Sequence, residues 1–261
     1  MTIPEIIALI ISGIAVGFIN TLAGGGSIIS LSILMFLGLP AGIANGTNRI
    51  AITLQTITAT INFKKNNILD SKKGIRLGIP TIIGSILGAY IAIDINEDIF
   101  EKAMAIIMII MVIFIFLRPN RWLLNKQELI DKKVSIWQYI LFFFIGIYGG
   151  FLHVGIGYFL LASIVLGAGY NLVKANAIKI LIVMMYVPFS LAVFIWNDQV
   201  NYKYGLILSI GNVIGAYVAS KYAITRGAEF VRWVILVVVL LTAANIFGFI
   251  DLNDAFRLIK G

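Results

Sequence analysis

Eight long apolar runs limit what this chain can fold into more than any other feature of the sequence. They occupy residues 3–23, 44–63, 75–93, 99–117, 136–152, 174–196, 204–220 and 231–250. A helix needs about 20 apolar residues to cross the hydrocarbon core of a bilayer, and most of these runs approach that length. Charged residues make up 12% of the chain, which is too few to cover a soluble protein of this size. The sequence therefore predicts an all-α polytopic membrane protein and excludes a soluble enzyme.

Two shorter apolar runs each follow a glycine-rich break. Residues 27–38 come after Gly24-Gly25-Gly26, and residues 157–169 begin at the end of Gly155-Ile156-Gly157. Backbone groups freed by a break at membrane depth must be shielded by protein or line a wet cavity. We therefore expect broken or re-entrant helices at both places, and about 8–10 membrane segments in total.

The charged loops predict how the chain is oriented in the membrane. Basic residues concentrate at 64–76, in the linker 118–135 and at 221–232, whereas the connection 94–102 is acidic and 197–203 is nearly neutral. Because cytoplasmic loops carry an excess of Lys and Arg, we expect the three basic segments inside and both termini outside the cytoplasmic membrane. The net charge of +8 then reflects loops that face anionic lipid rather than a nucleic-acid partner.

The two halves of the chain resemble each other at a spacing of about 130 residues. Gly84-Ser85-Ile86-Leu87-Gly88-Ala89-Tyr90-Ile91-Ala92 matches Gly211-Asn212-Val213-Ile214-Gly215-Ala216-Tyr217-Val218-Ala219, and Ala44-Asn45 matches Ala175-Asn176. Corresponding loops carry opposite charge character, which predicts two inverted-topology repeats, a feature of many secondary transporters. We assign the repeats to residues 1–117 and 136–261, joined by the basic linker 118–135. The small-residue GxxxG faces are expected to be close helix-packing sites.

Two cations lie inside apolar runs, where charge is costly and marks a functional candidate. Arg49 follows Asn45, Thr47 and Asn48, and Lys179 follows Asn176 at a similar place in the second half. No acidic residue lies within these runs, so the expected partner is a bound anion, a backbone carbonyl or water. We expect a helix to begin here, so that free N–H groups and amide side chains help to bind an anion. The alternative is that both cations reach an interface and that Asn45 caps a helix.

The first glycine break supplies further candidates for anion binding. Backbone donors of Gly24, Gly25, Gly26 and Ser27 could approach the same anion. Asn20 is either a ligand or a polar link between helices.

His153, beside the second break, is a candidate for proton coupling, since imidazole titrates near neutral pH. With no Cys and one His in the chain, we expect no metal site and no cofactor. Ser27 and His153 form the only obvious pair for an intramembrane hydrolase, a much weaker alternative to transport.

The segment from Gly17 through Gly24-Gly25-Gly26-Ser27, followed by Leu37-Gly38-Leu39-Pro40 and Asn45-Gly46-Thr47-Asn48-Arg49, resembles the sulfite exporter TauE/SafE family. The resemblance extends over the whole chain, with a more degenerate second half. It implies movement of a small sulfur oxyanion or organosulfonate, such as sulfite or sulfoacetate, across the cytoplasmic membrane. A secondary carrier would couple this to a proton or counter-ion, whereas an anion channel would use the same residues. The exact anion, the direction of transport and a homo-oligomeric state stay open.

Overall fold

The computed structural model describes residues 1–96 and 134–246, together with the single positions 99, 102 and 106. These two ranges fold into α-helices and contain no strand, which confirms the predicted all-α class. Most of the apolar run at 99–117, most of the linker 118–135 and the end of the run at 231–250 lie outside the described residues. The helices are α1 Ile3–Leu22, α2 Ser27–Phe36, α3 Ala41–Lys65, α4 Ser71–Asp94, α5 Ile136–Phe151, α6 Ile156–Ala162, α7 Leu172–Trp196 and α8 Tyr202–Ile246.

Local sequence signals explain where several helices begin. The Thr2 side chain accepts the N–H of Glu5 while the Glu5 side chain accepts the N–H of Thr2, so a capping box starts α1. Ser135 and Gln138 form the same arrangement at α5. A left-handed backbone at Gly227 kinks α8, and a π-helical turn over Ser163–Gly167 continues α6.

Four described helices are long and apolar enough to cross a membrane: Ile3–Leu22, Ser71–Asp94, Leu172–Trp196 and Tyr202–Gly227. Helices α2 and α5, and α6 with its π-helical turn, are shorter apolar helices. Several spans in one chain make this a multi-pass membrane protein.

Helix α3 has 25 residues but is too polar to be found among the candidate spans. Its polar side chains point into the protein, where α3 packs against α7 and α8, whereas Leu54, Ile57 and Ile61 form its exposed face. A helix whose polar face is covered by neighbouring helices can cross a bilayer with only a narrow apolar stripe. The buried polar residues of this helix are Asn45, Thr47, Asn48, Arg49, Gln55, Thr56 and Thr60.

Glycines bring pairs of helices from opposite halves into backbone contact. A Cβ added at Gly84 of α4 would lie 2.1 Å from the carbonyl oxygen of Phe143 on α5. A Cβ added at Gly211 of α8 would lie 2.1 Å from the carbonyl oxygen of Ile10 on α1. Both distances are far too short for a side chain, so these GxxxG faces are close-packing sites, as predicted. The halves are therefore interleaved, with α1 on α8 and α4 on α5.

Unusual backbone conformations recur at one spacing along the two halves. Positive φ angles occur at Gly24 and Gly155, at Gly38 and Gly169, and at Asn67 and Asp198, and each pair is 131 residues apart. The corresponding helices α3 and α7 run antiparallel, since Gly46 lies against Phe194 and Arg49 against Ser190. These contacts support the predicted repeat. Its inversion across a bilayer stays a prediction.

Candidate functional site

The two glycine breaks meet each other inside the protein. A Cβ added at Gly24 would lie 2.3 Å from the Cα of Gly157, and one added at Gly157 would lie 2.4 Å from the Cα of Gly24. Gly24 also has a φ of +90°, which side-chain-bearing residues rarely adopt. Only glycine fits at this contact, which joins the end of α1 to the start of α6.

A small polar cavity lies beside this glycine contact. Its free volume of about 10 Å³ is close to the minimum that holds one ordered water. Residues from both halves line it, and Lys179 is the cation among them. The lining residues are Asn20, Gly24, Ile52, Gln55, Thr56, His153, Ile156, Gly157, Lys179, Ile180 and Val183.

Lys179 on α7 is almost completely buried and contacts the end of α1. Its Nζ donates to the carbonyl oxygens of Asn20 at 3.1 Å and of Thr21 at 3.0 Å. Carbonyls in the last turn of a helix have no partner within the helix and carry its negative dipole end, so they stabilise a cation. Within the described residues, no carboxylate lies within ion-pair distance of Lys179.

Arg49 on α3 makes the equivalent contact with the end of α5. Its guanidinium donates to the carbonyl oxygens of Gly149 at 3.0 Å and Gly150 at 2.6 Å, and to the Ser190 hydroxyl at 2.8 Å. The ring of Phe194 lies 4.6 Å from its Cζ. Arg49 is not among the cavity-lining residues. The two cations therefore bind the ends of two different interrupted helices and do not meet in this cavity.

The expected helix start beside each cation is wrong. Helix α3 begins at Ala41, directly after Pro40, and α7 begins at Leu172, so Arg49 and Lys179 both lie in the third turn. Backbone N–H groups at that depth are bound to carbonyls four residues earlier. The first turn of α3 lies instead next to a separate pocket of about 260 Å³, which Pro40, Gly42 and Gln199 help to line.

The amide and hydroxyl groups around Arg49 have mixed roles. Asn45 Nδ2 donates to the carbonyl oxygen of Phe151 at 2.9 Å, and the Thr47 hydroxyl accepts the N–H of Asn201 at 2.8 Å. Both side chains thus join α3 to neighbouring segments. Asn48 and Asn176 are fully buried, and neither amide has a hydrogen-bond partner among the described residues.

At the first glycine break, Asn20 forms a polar link between helices, one of the two roles that the sequence offered, and it also lines the cavity. Its Oδ1 accepts the N–H of Ser27 and its Nδ2 donates to the Ser27 hydroxyl, both at 3.2 Å. The Ser27 N–H is therefore already used. Gly25 lies against the Tyr158 ring, and Gly26 lies against the carbonyl of Val16, where a Cβ would be only 2.8 Å from the oxygen.

His153 is buried, lines the cavity and pairs with Tyr186 of α7 rather than with Ser27. Its Nδ1 lies 2.8 Å from the Tyr186 hydroxyl. Because Ser27 bonds to Asn20 and His153 to Tyr186, the structure gives no support to a Ser–His hydrolase pair.

Four residues of the site were not predicted from the sequence. Gln55 and Thr56 line the cavity, Ser190 binds Arg49, and Tyr186 binds His153. None of the four belongs to a motif, and Gln55 and Thr56 lie among other polar residues of α3. The available signal was spacing: Ile52, Gln55 and Thr56 are three and four residues apart and therefore share one face of α3.

Comparisons with known proteins agree along nearly the whole chain. The family model described as "Sulfite exporter TauE/SafE" matches residues 9–246. A "Probable membrane transporter protein ORF9" of a Sinorhizobium species is 25% identical over 88% of this chain and 87% of its own length. A "Probable membrane transporter protein" of Haemophilus influenzae is 26% identical over 89% of this chain and 91% of its own length. The "Probable membrane transporter protein YfcA" of Escherichia coli is 26% identical over 88% of this chain and 85% of its own length. No solved structure gives a significant match.

Proposed function

Because the chain belongs to the sulfite exporter TauE/SafE family of membrane transporters, we propose that it is a secondary transporter of a small sulfur-containing anion. The substrate class is a sulfur oxyanion or organosulfonate resembling sulfite or sulfoacetate, and the chain carries it across the cytoplasmic membrane by alternating access. Both termini face the outside in this proposal, and the basic loops face the cytoplasm.

The buried position of Lys179 carries this proposal. The ammonium lies on a cavity between the two halves, and no described carboxylate neutralises it. Burying a charge in a membrane protein is costly, so such residues usually mark the pathway of an ion or substrate. An anion that enters the cavity would provide the missing countercharge. A cation carrier would instead require an acidic group at this place.

The closed state of the cavity supports a carrier rather than an open pore. Its free volume suits about one water, so a sulfite ion fits only after the halves have moved apart. The contact between Gly24 and Gly157 is where such a movement would begin, since it joins the ends of two interrupted helices. We infer that Lys179 and Asn20 face the substrate when the cavity opens.

The remaining predicted residues take supporting places in this proposal. Arg49, Asn45 and Thr47 hold α3 against neighbouring segments, and Gly25, Gly26 and Ser27 shape the first break. Asn48 and Asn176 bring unpaired amides that reach a ligand only if the helices rearrange. His153, bonded to Tyr186, is the group proposed to couple transport to protons.

Flux measurements in proteoliposomes test the function, with sulfite, sulfoacetate, sulfate and chloride as substrates. We expect saturable flux of a sulfur anion that Lys179→Met reduces at least tenfold. Lys174→Met is the matched control, because Lys174 is an exposed lysine on the same helix. A pH gradient should drive flux in the wild type and fail to do so in His153→Gln.

Three results would contradict parts of this proposal. No flux of any of the four anions through folded protein would remove the transport assignment. Flux that is unaffected by Lys179→Met would remove the site. A current that rises linearly with anion concentration, without saturation, would identify a channel instead of a carrier.

A further inference from the structure

Gln55 is a buried amide in the cavity that no motif in the sequence marks. It lies in the middle of α3, is 1% exposed, and lines the same cavity as Lys179 and His153. A buried amide is costly unless both of its ends are hydrogen-bonded. The role of Gln55 therefore depends on which end of its amide is hydrogen-bonded within the protein and which end faces the cavity.

Asn212 on α8 fixes the acceptor end of Gln55. Asn212 Nδ2 donates to Gln55 Oε1 at 3.1 Å, and no described residue accepts from Gln55 Nε2. Asn212 is itself held in place, because a Cβ added at Gly17 of α1 would lie 2.2 Å from its carbonyl oxygen. The backbones of α1 and α8 thus meet at Asn212, and this contact holds Asn212 beside the Gln55 amide.

The other polar side chains of the cavity differ in whether their hydrogen-bonding groups already have partners. Asn20 Oδ1 accepts the N–H of Ser27, and the Thr56 hydroxyl donates to the carbonyl of Ile52 at 2.8 Å. The Lys179 ammonium can donate three hydrogen bonds, and two of them are described. Lys179 and Gln55 therefore each keep a donor without a described acceptor, as does the second Nδ2–H of Asn20.

We propose that Gln55 is a specificity-determining residue that donates its Nε2–H to one oxygen of a bound sulfur oxyanion while Lys179 binds another. Asn212 is a positioning residue, because it occupies Oε1 and so turns the donor toward the cavity. A polyatomic anion can accept from the two donors at different oxygens, whereas chloride has one centre to share between them. The pair therefore favours an oxyanion over a halide. This inference rests on the proposed transport function and specifies its substrate site.

A second amide on α3, that of Asn62, provides a control that distinguishes ligand binding by Gln55 from simple helix packing. Asn62 Nδ2 donates to the Ser220 hydroxyl at 2.8 Å, which is also a side-chain link between α3 and α8. Asn62 lies two turns further along α3 and does not line the cavity. Replacing Asn62 removes an α3–α8 hydrogen bond while leaving the proposed ligand donor in place.

The test compares sulfite and chloride in proteoliposome flux and in thermal stabilisation of detergent-purified protein. We expect Gln55→Met to raise the KM for sulfite about tenfold or more, as expected for a lost hydrogen bond to a charged ligand, with the KM for chloride little changed. Gln55→Glu should abolish sulfite binding, since it places a like charge beside the anion. Asn212→Ala should lower the sulfite-to-chloride preference partly, and Asn62→Leu should leave it unchanged.

The outcomes distinguish this inference from the function it rests on. If sulfite stabilises the wild type and Gln55→Met equally, the role of Gln55 is overturned while transport stands. If all four variants lose sulfite and chloride binding in parallel, Gln55 contributes only packing. If no anion stabilises the wild type or crosses the membrane, both proposals fall. Gln55→Glu keeps the size of the side chain, so its sulfite binding can be measured if Gln55→Met does not fold.

Discussion

Arg49 is a fully buried charge whose described partners are two backbone carbonyls and one hydroxyl. A planar guanidinium presents its donors in a fixed fork and can therefore bridge Gly149, Gly150 and Ser190 together. A lysine ammonium is a point charge on a flexible stem and would leave part of this set unsatisfied. Hydrogen bonds to charged groups contribute about 1.5–3 kcal/mol each to stability. The stability of the end of α5 should therefore depend on the shape of the arginine side chain as well as on its charge.

We expect Arg49→Lys to lower the midpoint of thermal unfolding in detergent by several degrees. Ser190→Ala removes one of the three bonds and should cost less, about 1–2 kcal/mol. The measurement is thermal unfolding of the purified variants beside the wild type. Equal midpoints for the wild type and Arg49→Lys would show that the carbonyl contacts do not hold the end of α5.

At the residue scale, the sequence identified the buried cations and offered backbone carbonyls as one kind of partner, but it did not show which carbonyls these would be. Arg49 and Lys179 stand out because charge is rare in apolar runs. Their acceptors are backbone carbonyls at the ends of α1 and α5, which carry no side-chain signature. Gln55 was missed for a related reason, since one amide among the many polar residues of α3 fits equally well as a packing link. Its position on the cavity and its bond to Asn212 are what single it out.

The interrupted helices depend on two different properties of glycine. Gly157 is needed for lack of volume, since a Cβ there would lie 2.4 Å from the Cα of Gly24. Gly38 is needed for backbone conformation, since its φ is +93° while nothing lies within 4 Å of an added Cβ. Replacing both by alanine separates steric exclusion from backbone strain.

We expect Gly157→Ala to abolish flux and to lower thermal stability strongly, because backbone cannot move aside as a flexible side chain does. Gly38→Ala should cost about 1–3 kcal/mol from strain alone and keep measurable flux. Flux assays and thermal unfolding of both variants provide the check. Wild-type flux in Gly157→Ala would show that the two breaks need not touch for transport.

The start of α4 is tied to the loop before α7 through Asp70. Its Oδ1 accepts the N–H of Lys73 at 3.0 Å, and its Oδ2 accepts the Tyr170 hydroxyl. Partial burial alone would raise the pKa of Asp70. The two hydrogen bonds and the positive charge of Lys73 outweigh burial and lower this pKa below its ordinary value of 3.8. The carboxylate form therefore stabilises the fold.

The sign of this shift predicts how stability depends on pH. A carboxyl whose pKa is lowered by folding contributes stability above pH 3.8 and loses it as the pH falls through the folded-state value. Asp70→Asn keeps a helix-capping side chain and removes only the charge. We expect the wild type to unfold at a higher temperature than Asp70→Asn at pH 6, with the gap closing below about pH 4. A gap that stays constant from pH 6 to pH 3 would contradict this role of the carboxylate.

Helix boundaries were predicted less well than helix existence. The runs at 27–38 and 157–169 were expected as short segments after glycine breaks, and they are α2 and α6 with its π-helical turn. The start of α3 was placed three residues too late, at 44 instead of Ala41. Pro40 provided the better signal, since the residue after it begins α3.

In the whole molecule, sequence similarity indicated a repeat but not how the halves would be combined. The spacing of 131 residues recurs in the backbone at three pairs of positions. The interleaving of α1 with α8 and of α4 with α5 followed from no pattern within either half, because GxxxG faces do not encode which partner they bind. As a result, the cavity is built from both halves.

The orientation of the whole molecule in the membrane is the last prediction, and the absence of cysteine makes it simple to test. The chain contains no Cys, so a single introduced thiol is the only labelling site. Lys65 and Lys203 are matched positions, since both are exposed lysines at helix ends, in the 64–76 and 197–203 loops.

By the positive-inside rule, Lys203→Cys should react with a membrane-impermeant maleimide added to intact cells, whereas Lys65→Cys should react only after permeabilisation. Labelling of both thiols in intact cells would contradict the assignment of the basic loop to the cytoplasm. The reverse pattern would invert the molecule and place the 260 Å³ pocket beside Pro40 and Gln199 on the cytoplasmic side. Because that pocket lies at the end where α3 begins, the labelling result also decides on which side of the membrane the pocket lies.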